Sequence, residues 1–185
     1  MSETVIHERP AGPAARFGSA LRAVFPPLRG PERTPLPTGV PGHHRHETAL
    51  AVLTAARGVI RRGWAQNTWY VVETRTGRRR AFPPVFPSRI DHSRVVQACL
   101  VGAVVHAAWQ QSPRPERAYP AIDALWHTLL NGGGTPGAEP VGPLSSPPVR
   151  AARVRDLTTW NDRPHRTKDD VLHLLDRTTA RIAGA

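Results

Sequence analysis

The sequence predicts a mainly α-helical protein, a compact bundle of about four helices around a central apolar helix, with one small β-hairpin. Three observations carry this. Residues 93–111 are apolar on every side, as expected of a helix buried in the middle of a domain. Ala49, Leu50, Leu53, Ala56 and Ile60 recur at three- and four-residue steps, which stacks them on one helical face. Residues 68–74 are β-branched and aromatic, and Gly77 follows where a turn would sit, so 68–74 and 78–82 read as a hairpin.

The elements follow in order. Residues 1–45 hold eight of the twenty prolines, which remove backbone donors and block helices. They read as a disordered arm before a single domain spanning 46–183. The first helix begins near His46, and Gly63 closes it as a C′ residue. Pro83, Pro84 and Pro87 end the hairpin. The apolar stretch then runs from Ser93 to Gln111 as the hub, with small Gly102, Ala103 and Ala107 allowing close helix approach. Pro120 opens the next helix at a tolerated position, and Ile122, Leu125, Trp126 and Leu129 form its stripe. Residues 131–148 read as a flexible Gly/Pro linker. Residues 149–157 fit either a short helix or a strand. In the last helix Thr167 precedes an acid at Asp170, the spacing of a capping box, and Val171, Leu174, Leu175 and Ile182 face inward.

Composition excludes several classes. A single cysteine, Cys99, excludes a disulfide framework and a multi-cysteine zinc site. No apolar run reaches about 18 uninterrupted residues, so no membrane partner is expected. Pro10 and Pro13 stand where a signal peptide would need its apolar stretch, which favours a cytoplasmic protein. The net charge of +11 favours anionic partners, but 24 of the 25 basic residues are Arg, which fits the coding bias of a high-GC genome. The sharpest basic groups are Arg61 and Arg62, and Arg75, Arg78, Arg79 and Arg80 around Gly77. They are the candidate nucleic-acid contacts, weighed against a merely solvated face.

The densest functional stretch is Trp160 to Thr167. Asp162 there is a candidate base, His165 a proton carrier and Asn161 a hydrogen-bond donor, at a helix start that attracts anions. The competing reading is a structural turn, with Trp160 plugging the core and Thr167 capping the helix. Cys99 and His106 are seven residues apart, about 10.5 Å along a helix, so they cannot share a hydrogen bond. His92 extends their stripe. A lone cysteine in an apolar helix is ordinarily a small hydrophobe. His43, His44 and His46 lack an acidic or thiol partner nearby, so no metal is expected. Gly132-Gly133-Gly134 lacks the Gly-Lys-Ser/Thr ending of a phosphate loop, and no cofactor is expected.

Three blocks together carry a resemblance. They are Ala49-Leu50 through Gly58-Val59-Ile60 to Gly63-Trp64-Ala65-Gln66, then Cys99 to Val105, then Trp160-Asn161-Asp162 through Thr167 to Val171-Leu172. In this order they resemble the family catalogued as domain of unknown function 6197, small actinobacterial proteins. The resemblance covers about residues 47–180. It departs at residues 67–92, which are long and rich in Arg and Pro. It implies a compact helical domain and no established reaction. It also implies that Trp64, Gln66, Cys99, Trp160, Asn161, Asp162 and Thr167 line one region between the central helix and the start of the last, with His106 on the same central helix.

The expected function is therefore a non-catalytic binding or accessory protein with an unknown protein or small-molecule partner. The alternatives are a small specialised-metabolism enzyme using Asp162 and His165, and a nucleic-acid binder using the Arg-rich hairpin.

Overall fold

The computed structural model describes residues 42–84, 90–131 and 146–184. The proline-rich segment 1–41 and the Gly/Pro segment 132–145 lie outside the described residues. Five α-helices and three strands make up the described part: α1 (Gly42–Arg62), β1 (Tyr70–Glu73), β2 (Arg79–Phe82), β3 (Val95–Ala98), α2 (Leu100–Gln111), α3 (Tyr119–Asn131), α4 (Pro147–Asn161) and α5 (Lys168–Ala183). The expected helical bundle with a hairpin is present.

Helix α2 is the hub. Every side chain from Leu100 to Ala108 is buried. Helix α1 packs along α2, α3 and α5, and α4 packs against α3 and α2. Of the predicted stripe of α1, Ala49, Leu53, Ala56 and Ile60 are fully buried and Leu50 is partly buried against the core. Gly102 is required by a close approach. A Cβ there would lie 2.3 Å from the carbonyl oxygen of Trp69, so the sheet meets α2 backbone to side-chain-free backbone.

The structure corrects the expected elements in four places. The apolar stretch is not one helix from 93 to 111. A 3-10 turn (His92–Arg94) and strand β3 precede α2, and Cys99 is the N-cap in extended conformation. Apolar residues on every side suit a buried strand as well as a buried helix, and periodicity cannot separate the two. His92 therefore lies off the helix. The hairpin is part of a three-stranded antiparallel sheet of order β2-β1-β3, with Tyr70 opposite Phe82 and Ala98. Residues 147–161 form a full helix, started by Pro147 and Pro148, which fit a first turn that lacks intrahelical acceptors for its amides. Finally, α1 begins at Gly42, before the expected start near His46.

Helix α4 explains its own ambiguity. Its face toward α3 is polar. The Arg150 guanidinium lies 3.6 Å from the Tyr119 ring centroid, Arg153 pairs with Asp123 at 2.7 Å, and Trp126 Nε1 donates to Asp156 at 3.0 Å. Three successive rungs between α3 and α4 thus use cation–π and ionic contacts where a hydrophobic pattern would be expected.

Candidate functional site

The three sequence blocks meet at Asn161, the last residue of α4, which is fully buried. Its Oδ1 accepts from the indole Nε1 of Trp64 at 2.9 Å and from the backbone amide of Leu100 at 3.1 Å. Its Nδ2 donates to the carbonyl of Ala65 at 3.2 Å and to Asp162 Oδ1 at 2.8 Å. An asparagine side chain has two acceptor positions and two donors, so all four are occupied. The backbone carbonyl of Asn161 takes a further bond from Gln66 Nε2 at 3.0 Å, and the same amide group reaches the carbonyl of Arg163 at 2.9 Å.

Local backbone puts these groups in place. After α1, Gly63 and Ala65 bond to Ala98, so residues 63–65 lie parallel to the end of β3. A Cβ at Gly63 would lie 2.3 Å from the carbonyl of Val96, which makes glycine the residue that fits. The chain then turns through Asn67 at φ 58°, a left-handed conformation that asparagine tolerates. That turn aims the Asn67 amide at Asp162 Oδ1, 2.9 Å away.

Cys99 sits beside this junction. Its backbone amide bonds to the carbonyl of Trp69 at 3.2 Å, and its sulfur accepts from the amide of Gly102 at 3.3 Å. Burial pushes the thiol up to about 12, and the nearby Asp162 carboxylate adds to the shift. The group is a neutral thiol at physiological pH, and a thiol, unlike a thiolate, is a poor nucleophile. With Leu100 and Gly102 both bonded, the start of α2 offers an anion two fewer amides.

Of the residues expected to line one region, Trp64, Gln66, Asn161 and Asp162 form one hydrogen-bonded junction, and Cys99 precedes Leu100, whose amide joins it. Trp160 and Thr167 border it differently. Trp160 is half-buried, with the Arg166 guanidinium 4.0 Å from its ring centroid. Thr167 caps α5: its hydroxyl takes the Asp170 amide while Asp170 accepts from the Thr167 amide, the predicted capping box. Those backbone bonds hold the Asp170 carboxyl below its ordinary range. His165 is exposed, and among the described residues no hydrogen bond or ion pair joins it to Asp162.

His106 lies elsewhere on α2, away from its N-cap. Its Nδ1 is 2.7 Å from Nδ1 of His92, and the rings stack at a centroid distance of 4.9 Å. Trp109 also stacks on His92, at a centroid distance of 5.9 Å. Burial lowers the His106 pKa to about 4, with His92 and Arg62 contributing. The two Nδ1 atoms share one hydrogen bond, whose donor is set by the tautomers of the rings. The sequence places both histidines on one helical stripe, whereas the contact depends on the strand between them. Asp91, which caps the 3-10 turn through Ser93 and pairs with Arg94 at 3.1 Å, escaped the sequence reading. The Asp-x-Ser spacing at 91–93 is the turn signal that would have flagged it.

The candidate basic contacts divide. Arg75, Arg78, Arg79 and Arg80 are exposed on the hairpin. Arg61 and Arg62 are exposed at the end of α1 but serve different neighbours. Arg61 acts on Asp176 of α5, and its carbonyl accepts from Lys168 Nζ at 2.6 Å. Arg62 faces His106. Among the described residues no three His, Cys, Asp or Glu side chains are arranged to hold a metal ion, and no helix is long and apolar enough to cross a membrane.

No curated protein and no solved structure matches the chain. The model of a family of unknown function, DUF6197, matches residues 44–181, from the first turn of α1 to the last turn of α5, and includes the whole Asn161 junction. By that match over most of its length, the chain belongs to the DUF6197 family.

Proposed function

We propose that this is a non-catalytic binding or accessory protein, a helical scaffold that displays the Arg-rich hairpin to an anionic partner. One observation carries the reading. The signature residues have their polar groups bonded inward, with all four positions of the Asn161 side chain occupied, whereas the hairpin guanidiniums are exposed. A catalytic reading around Asp162 and His165 has no comparable support. Asp162 Oδ1 already receives two donors, and His165 faces solvent without a bond to it. The near-absence of Lys beside 24 Arg supports an actinobacterial source, and the single cysteine suits the cytoplasm.

Heparin chromatography tests the proposal with a positional control. The triple variant Arg78→Gln/Arg79→Gln/Arg80→Gln removes three hairpin charges. The triple Arg114→Gln/Arg155→Gln/Arg163→Gln removes three exposed charges elsewhere. Elution at clearly lower salt for the hairpin triple than for the control supports the proposal. Equal elution of the two would show that net charge alone governs retention, and the proposal would fail.

A further inference from the structure

The two edges of the sheet differ. The outer side of β3 is closed at its end by the exit of α1. The Ala98 amide donates to the Gly63 carbonyl at 3.0 Å, and the Ala65 amide donates to the Ala98 carbonyl at 3.1 Å. A Cβ at Gly63 would lie 2.3 Å from the Val96 carbonyl oxygen, so the two segments lie against each other. Among the described residues no strand pairs with the outer side of β2. On its inner side the carbonyls of Arg78 and Phe82 accept from the amides of Thr74 and Trp69 at 2.7 and 3.0 Å. Backbone groups of an antiparallel strand alternate between its two sides, so the N–H and C=O of Arg79 and Ala81 point away from β1. Both residues are exposed. Such an edge is a template for one more strand.

The side chains of β2 select what that strand carries. From Tyr70 to Phe82 the hairpin has four arginines and one acid, so the open edge is positive. Arg79 lies on the face of Glu73, its partner in the register. Arg80 lies on the other face, its guanidinium 5.0 Å from the Phe82 ring centroid. Guanidiniums on both faces disfavour two occupants. A second copy of β2 would set these arginines against themselves, and like charges opposite one another in a sheet repel. A nucleic acid would bring its phosphates to one face and leave the other unmatched. An extended polypeptide sends successive side chains to both faces, so neighbouring acidic residues reach Arg79 on one side and Arg80 on the other. The exposed large hydrophobic side chains among the described residues, Leu130 and Val149, lie on α3 and α4. Main-chain hydrogen bonds and charge are therefore what the edge offers.

We infer that β2 takes up an acidic, extended segment of a partner protein as a fourth strand of the sheet. The backbone of that segment pairs with Arg79 and Ala81, and its carboxylates meet Arg79 and Arg80 on opposite faces. The inference rests on the proposed anion-binding role of the hairpin and names its partner.

Fluorescence anisotropy of the full chain with a labelled, end-blocked peptide Thr-Val-Glu-Glu-Val-Thr tests this. Its β-branched residues favour an extended chain, and its neighbouring Glu residues face opposite ways. The peptide binds. The same peptide with its amides N-methylated keeps its charge but cannot pair, and binds about tenfold more weakly. Ala81→Pro removes the outward amide and leaves the bonds to β1 in place, and it weakens binding by about tenfold. The Arg78→Gln/Arg79→Gln/Arg80→Gln variant weakens it by about tenfold or more. The control triple at Arg114, Arg155 and Arg163 binds like wild type. Hydrogen exchange of the wild-type chain slows at the Arg79 and Ala81 amides when the peptide is added, a readout that does not depend on how any variant folds.

Absence of peptide binding overturns the inference, as does equal affinity for the N-methylated peptide or unchanged exchange at Arg79 and Ala81. Binding of labelled single-stranded DNA in place of the peptide also overturns it, in favour of a nucleic acid. If heparin retention stays hairpin-dependent while the peptide fails, the added strand falls and the anion-binding hairpin stands. If hairpin-dependent retention fails as well, both fall.

Discussion

The Asn161 junction and the Arg-rich hairpin are opposite solutions for polar side chains. At the junction, groups from α1's exit, the start of α2 and the end of α4 are buried and bonded to one another. On the hairpin, Arg75 and Arg78 to Arg80 are exposed, Arg80 with its guanidinium 5.0 Å from the Phe82 ring centroid. A buried polar group left without a partner costs its full desolvation, so the junction must be complete to be tolerable. An exposed guanidinium carries no such requirement and remains available to a partner. The contrast separates two reasons for a polar motif: the junction holds the fold, and the hairpin faces outward.

Mutation sharpens that division most strongly at its centre. Asn161→Ala leaves the Leu100 amide, the Trp64 indole and the Ala65 carbonyl without their partner. We expect a loss of about 3 kcal/mol and a fall in Tm of roughly 6–12 °C. Heparin retention of the folded variant should be unchanged. A Tm within 2 °C of wild type, in the sense of about half a kcal/mol, would break the comparison.

Gly102→Ala tests how tightly the sheet is seated on the hub. Its Cβ would meet the Trp69 carbonyl at 2.3 Å, and backbone cannot yield cheaply. A loss of about 2 kcal/mol is expected from overpacking, read by urea unfolding with an unchanged m-value.

The histidine pair adds a pH test. The folded-state pKa of His106 is depressed, to about 4 from an ordinary 6.5. Between those values the unfolded chain binds a proton that the folded chain does not. Stability is therefore intact above about pH 6.5 and is lost as pH falls toward 4. The Tm of wild type should drop across that window more than the Tm of His106→Gln. Parallel curves for the two proteins would exclude His106 as the source.

The smallest effects belong to the hairpin. Gly77 holds φ 75°, so Gly77→Ala should cost about 1 kcal/mol through backbone strain alone, since no atom lies within 4 Å of the added methyl. The Arg78/Arg79/Arg80 triple should leave the melting curve within about 0.5 kcal/mol per site of wild type. A large destabilisation there would mean that the hairpin arginines hold the fold, and the division would dissolve.

Local chemistry made much of the fold readable. The α1 stripe, the Thr167–Asp170 cap and the turn at Gly77 each depend on neighbours within a few residues, and each stands where the pattern put it. The composition of the Asn161 junction was legible from the three signature blocks. The direction of its bonds was not. Nothing local to Asn161 states that its amide oxygen will serve Trp64 and Leu100, which are 97 and 61 residues away. Residues 93–98 were misread because Val95, Val96 and Ala98 run straight into the apolar stretch of α2, where no period marks a boundary, and α4 stayed ambiguous because its inner face carries Arg150 and Arg153.

Short-range rules therefore determined that α1, α2, α3 and α5 are helical and that α2 is interior. Tertiary structure alone decided that 95–98 is a strand, that α4 docks through ionic and cation–π rungs, and that His92 meets His106. The physical reason is the same in each case. Helix periodicity, caps and turns are energies of adjacent residues, whereas the valence of a buried amide or a guanidinium is satisfied by whatever the folded chain brings within about 3 Å.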